Sequence, residues 1–202
     1  MARVAEIHQT ATLTPSKIEL LKAWLPGREW FTGDAEDLAQ AGQFRFVDPD
    51  GEVGVQVMLV TSAGVLYQVP LTYRGAPLDG AEDALVGTME HSVLGPRWVY
   101  DGPADPVFRA ELLRTIVEGD TGAGVTDGAA VPMPVVGSGA PGVELVPGVR
   151  AGDDLISYGD VTVHVPRHPD EAEPIGALGV LTGILTVEDI DGPLVLAELR
   201  SA

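Results

Sequence analysis

Apolar residues recur along this chain at two different spacings, and the changes between them mark out its elements. Arg3–Gln9 is expected as a first strand. Ile18, Leu21, Trp24 and Leu25 then repeat at helical intervals, which puts them on one stripe. Thr14-Pro15 fits the start of that helix, with Thr14 as the capping residue and Pro15 at the first helical position, where a missing N–H is harmless. Pro26-Gly27 ends it, and Trp30-Phe31 is expected to pack back on it.

The period then shortens. Gly42–Val47 reads as a strand closed by the turn Asp48-Pro49-Asp50-Gly51. In Glu52–Ser62, Val53, Val55, Val57 and Leu59 fall on alternate positions. Ala63-Gly64 reverses the chain into Val65–Tyr73, where the alternation continues. These are expected as antiparallel neighbours buried on one face. Asp83–Ser92 is a short helix or a loop, and Arg97–Tyr100 a short strand. Asp105-Pro106 opens a second helix whose apolar face is Val107, Leu112, Leu113, Ile116 and Val117. Gly, Ala, Pro and Val dominate Glu118–Pro147, the pattern of a linker. Beyond it, Asp154–Pro166, Ala177–Val187 and Leu194–Leu199 read as strands. The sum is an α+β chain, divided into residues 1–117, a linker over 118–147 and a β-rich region over 148–202.

Composition narrows the chemistry. The 202 residues include no Cys, so thiol nucleophiles, disulfides and thiolate metal sites are out. A net charge of −18 makes nucleic acid and anionic membranes poor partners. Apolar runs such as Val53–Val60 and Leu178–Val187 are too short or too interrupted for a helical span, and no secretory signal is evident, so a cytoplasmic protein is expected.

Three stretches carry a family resemblance. Leu13–Gly33 (LTPSKIELLKAWLPGREWFTG), Tyr67–Leu78 (YQVPLTYRGAPL) and His91–Pro106 (HSVLGPRWVYDGPADP) together resemble the maltokinase N-terminal cap domain, in order and across residues 5–117. That resemblance implies a cystatin-like helix cradled by a curved antiparallel sheet, and a place in actinobacterial α-glucan, glycogen, trehalose and maltose metabolism. Leu155–Arg167 (LISYGDVTVHVPR), followed by His168-Pro169-Asp170, is similar to kinase N-lobe strands, and that overlay puts His164 where the ATP-binding lysine belongs.

The residues for phosphoryl transfer are nevertheless missing. It needs a cation on the phosphates and oxygen ligands on Mg²⁺. The only lysines are Lys17 and Lys22, both on the first helix, and there is no asparagine anywhere. Ser157-Tyr158-Gly159-Asp160 and Asp189-Ile190-Asp191-Gly192 fit hairpin turns better than kinase fragments. His164 and His168 would stand about 13 Å apart on a strand, too far to share a metal. The acidic clusters Asp34, Glu36, Asp37 and Asp153-Asp154 read as solvated charge. Neither a catalytic residue, a metal ligand nor a cofactor is therefore assigned.

The candidate binding surface is aromatic plus arginine: Trp30, Tyr73, Arg74, His91, Arg97, Trp98 and Tyr100. The plainer reading of Trp24, Trp30 and Trp98 is core filling. Arg97 is expected to pair with Asp101 or Asp105. The favoured function is a non-catalytic cap-like binding or regulatory protein with a sugar ligand or a protein partner of α-glucan metabolism. The alternatives are a carbohydrate-active enzyme using acidic residues, and a self-associating scaffold that forms homo-oligomers.

Overall fold

A computed structural model describes residues 4–5, 11–125, 133–171, 174–187 and 190–202. In chain order they form β1 (Val4–Ala5), β2 (Leu13–Thr14), α1 (Lys17–Trp24), β3 (Ala39–Val47), β4 (Gly54–Ser62), β5 (Val65–Arg74), β6 (Leu85–His91), β7 (Gly95–Asp101) and α2 (Pro106–Glu118). The remaining strands are β8 (Gly124–Val125), β9 (Val135–Gly137), β10 (Val149–Arg150), β11 (Leu155–Ser157), β12 (Val161–His164), β13 (Gly179–Val187) and β14 (Ile190–Ser201). Most of the first strand expected at Arg3–Gln9 lies outside the described residues; Val4–Ala5 pairs in parallel with β8. The class is α+β in the broad sense, dominated by two six-stranded antiparallel sheets of order β2-β6-β7-β5-β4-β3 and β10-β11-β12-β14-β13-β9.

The first helix starts two residues later than its pattern suggested. Thr14 pairs with Glu90 in the first sheet, and Ser16 is the cap. The Ser16 hydroxyl accepts the Glu19 N–H at 3.3 Å, and the Glu19 carboxylate accepts the Ser16 N–H at 2.7 Å. This reciprocal pair satisfies two orphan donors at once. Leu20, Leu21, Trp24 and Leu25 then bury against Met58, Val60, Tyr67, Val69 and Val99 of the first sheet. The β4–β5 hairpin turns on Ala63 and Gly64 with φ of 51° and 77°, the left-handed pair that suits the twist of adjoining strands. Asp83–Ser92 is mainly strand β6 rather than helix or loop.

The first sheet is buried on both faces, not one. Val55, Val57 and Leu59 on β4 point away from α1, into a second cluster. There they meet Phe108, Leu112 and Ile116 of α2 and Leu181, Leu185 and Leu196 of the second sheet. That second layer explains why the β4 run is nearly continuous in apolar residues. α2 opens as expected, with Asp105 as cap and Pro106 in its first turn.

The glycine-rich stretch after α2 is packed where it is described. Gly119 closes the helix at φ 66°, and the Asp120 N–H reaches the Thr115 carbonyl at 3.0 Å. Gly139 and Ala140 donate to the carbonyls of Ile116 and Val117, each at 3.0 Å. A Cβ on Gly137 would stand 2.0 Å from the Thr115 carbonyl oxygen, so only glycine lets β9 approach the helix so closely. Composition that reads as flexible here serves contact.

Candidate functional site

The two sheets are stitched together where β5 and β7 part. These strands pair only from Leu71–Arg74 to Trp98–Asp101. Farther along β5, the Gln68 N–H donates instead to the Arg167 carbonyl at 2.8 Å. The buried Gln68 side chain donates to the carbonyls of Pro166 and Leu196 at 3.1 and 2.8 Å. Arg167 fills the notch: its guanidinium grips Asp101 through two bonds of 2.9 and 2.6 Å and donates to the Asp153 carbonyl. The same guanidinium lies 4.8 Å from the centre of the Trp30 ring. Both members of the pair are buried, at 3% and 5% side-chain exposure.

Above this lock is a cavity of 310 Å³ lined by Trp30, Asp153, Asp154, His164, Pro166, Arg167 and His168. His164 Nε2 is 3.2 Å from Asp154, and Asp153 accepts from Arg150 at 2.7 Å. The His168 ring rests against Tyr67, with centroids 5.0 Å apart. The Asp153 and Asp154 carboxylates are 57% and 47% exposed, so each is solvated and engaged with a base. The site can offer hydrogen bonds to a small polar ligand. Among the described residues, no group of three or more His, Asp or Glu is placed to hold a metal.

A second hollow of 470 Å³ lies between the β3–β4 turn and the loop after β5, and it brings together Arg74 and Arg97. Arg74 is committed to Asp105 by bonds of 2.6 and 2.7 Å, and that pair raises its pKa. Asp105 also accepts the Val107 N–H at 2.9 Å as the cap of α2. Arg97 therefore does not pair with Asp101 or Asp105, because stronger partners hold both; it donates to the Leu94 carbonyl at 2.9 Å. The other candidate residues are scattered. Trp98 is half-buried beside Arg74 in the ladder. The buried Tyr100 accepts the Leu78 N–H at 2.9 Å. His91 Nδ1 accepts the N–H groups of Val93 and Leu94 at the β6–β7 turn. Trp30 belongs to the seam, and Tyr73 faces α1.

Tyr73 belongs to a third polar group that sequence reasoning missed. Lys17 Nζ donates to Gln56 Oε1 at 2.6 Å, and Arg45 donates to the same oxygen at 3.2 Å. Gln56 Nε2 donates in turn to Gln43. Lys17 stands 5.5 Å from the Tyr73 ring centre. Burial, helped by the Arg45 charge, pushes the Lys17 pKa down to about 7. Burial also lowers the pKa of Arg45 and raises that of Tyr73. The alternation of Gln43 with Arg45, and of Gln56 with apolar neighbours, was the available signal.

These sites surround or flank one recognisable segment. Residues 24–105 match the maltokinase N-terminal cap domain. The matched segment thus runs from the end of α1 through β7 to the N-cap residue of α2. It contains every candidate residue from Trp30 to Tyr100, together with Asp101. The opposite wall of the seam, from Asp153 to His168, lies outside it, as does Lys17. No curated protein matches the chain. Among the described residues, no helix is long and apolar enough to cross a membrane.

Proposed function

We propose that this chain is a cap-like binding or regulatory module of maltose, trehalose and α-glucan metabolism, acting without catalysis of its own. The match of residues 24–105 to the maltokinase cap carries this reading. The seam chemistry supports its non-catalytic part. Where the N-lobe overlay needs a lysine, β12 offers His164, hydrogen-bonded to a solvated Asp154. That ring is engaged with Asp154, so it does not present phosphates with the free ammonium of a lysine.

The finer architecture proposed is a cystatin-like unit, α1 laid across the first sheet, followed by a truncated relative of a kinase N-lobe in the second. The fixed Arg167–Asp101 lock makes the second sheet a rigid support for the cap, and the partner is a sugar or a protein of the same metabolism. The carbohydrate-active alternative draws less support, because Asp153 and Asp154 are neighbours in sequence and neither is desolvated, whereas glycoside hydrolysis sets two carboxyls about 5–10 Å apart across a cleft. Calorimetric titration of the full chain with Mg-ATP tests the reading. No heat of binding is expected, with co-purification of glucan-pathway enzymes from the native host; tight Mg-ATP binding overturns it.

A further inference from the structure

The group formed by Lys17, Arg45, Gln56 and Tyr73 is an unusual use of charge in this chain. Only 12 residues are Lys or Arg, against 30 Asp and Glu. Arg74, Arg150 and Arg167 each take a carboxylate. Lys17 and Arg45 instead share one neutral amide oxygen, and neither forms an ion pair with a described residue. Their nitrogens, each bonded to that one atom at 2.6 and 3.2 Å, lie within about 6 Å of each other. Two like charges so close, both partly withdrawn from water, repel one another and lose hydration. The observed partner, a neutral carbonyl oxygen, offsets little of that.

A second feature points the same way. The Tyr73 hydroxyl is buried and has no hydrogen-bond partner among the described residues, an unsatisfied donor of the sort that rarely persists without a reason. It sits on β5 next to β4, which carries Gln56; β3, on the other side of β4, carries Arg45. Lys17 reaches down from the first turn of α1. Ammonium, guanidinium and phenol are hydrogen-bond donors for an oxyanion, and Arg supplies the fork that suits carboxylate or phosphate. Both cations are only half-buried, so the group keeps an approach from solvent.

We propose that Lys17, Arg45 and Tyr73 form a binding site for a single oxyanionic group, a phosphate or a carboxylate, beneath the first turn of α1. The site is independent of the module reading above, since no metabolic assignment enters the argument. The bound oxyanion supplies a counter-ion that none of the described residues provides, receives bonds from both cations and gives the Tyr73 hydroxyl its acceptor.

Thermal unfolding of the full chain, with inorganic phosphate or acetate titrated against chloride at constant ionic strength, tests the proposal. A saturable rise of Tm is expected with at least one of the two ions, and the ion that acts says which oxyanion the site takes. Lys17→Met and Arg45→Met should each weaken the apparent affinity at least tenfold, while Lys22→Met, at a partly exposed lysine on the same helix that pairs with Glu36, should leave it unchanged. Tyr73→Phe keeps the ring and should weaken binding several-fold, which covers the case in which a charge variant fails to fold. A Tm that responds to neither ion, or that rises equally in wild type, Lys17→Met and Arg45→Met, overturns the proposal.

Discussion

Arg167 and the pair Lys17 and Arg45 are all cations drawn out of water, yet their company is opposite. Arg167 meets a carboxylate fork-to-fork, at 3% and 5% exposure, and stacks on Trp30. Lys17 and Arg45 meet each other across an amide. One arrangement joins two sheets; the other crowds two basic groups at the start of a helix. The difference teaches two uses of the chain's few cations: one fixes the seam, and the other sets two basic groups around a single amide.

The most disruptive way to break this comparison is to remove one side of the seam. Arg167→Ala leaves Asp101 as a buried, uncompensated charge and frees the notch between β5 and β7. The expected loss is about 3–5 kcal/mol by urea denaturation. The double change Arg167→Met with Asp101→Leu should recover much of it, because replacing both partners removes the orphan charge. A loss below about 1 kcal/mol for Arg167→Ala would mean that the lock is incidental to the seam.

The Lys17 side is read through pH. The unfolded chain keeps this proton up to its ordinary value of 10.5, while the folded chain releases it near 7. The unfolded state therefore binds more protons in that interval, and stability should climb with pH, by up to about 1.4 kcal/mol per pH unit. Arg45 on β3 and Tyr73 on β5 are the other ionisable groups of the cluster, with Gln56 neutral between them. Tyr73 and Tyr158, both raised by burial from 10.0, act in the opposite direction above pH 10, so the clear window is pH 7 to 10. In Lys17→Met the rise should flatten, as measured by denaturant midpoints in phosphate-free buffer. An unchanged slope would show that Lys17 titrates normally and would remove the contrast with Arg167.

Between these extremes stands Arg74 with Asp105, one partner partly in solvent and the other fully enclosed, at 21% and 0% side-chain exposure. Asp105→Ala removes the α2 cap and the carboxylate together. A loss of about 2 kcal/mol is expected, at the upper end for caps because an ion pair is lost as well. Asp105→Asn, which can still cap, should recover about half. Thermal melts of the two variants separate the contributions.

Much of the first sheet was legible, because α1, β3, β4, β5, β7 and α2 are each written in local spacing. The cap resemblance was legible too, and the family match lies within the span it covered. The helix start was misplaced although Ser16 and Glu19 spelled out a capping box, since Thr14-Pro15 offered a second, equally local signal. Burial of β4 on both faces had its trace in the nearly continuous apolar run Val53–Val60, but what covers the far face is a sheet more than a hundred residues away. The seam was illegible for the same reason: Arg167 and Asp101 are 66 residues apart, and nothing near Arg167 names its partner. The dispersal of the candidate aromatic and arginine residues follows from strand direction, since neighbours in a strand project to opposite faces.

The smallest effect sharpens the comparison from its other end. Lys22 and Glu36 approach at 3.2 Å with side chains 30% and 85% exposed. If a carboxylate stabilised merely by touching a cation, Glu36→Ala would resemble Asp105→Ala. Water already solvates Glu36, however, and ordering two long side chains offsets most of the attraction. Lys22 also donates to the Glu36 backbone carbonyl at 3.1 Å, a contact that the substitution leaves in place. A change below about 0.5 kcal/mol is expected, vanishing in high salt. A larger, salt-resistant loss would show that contact rather than desolvation sets the strength of these pairs, and the ordering from Arg167 through Arg74 to Lys22 would lose its physical basis.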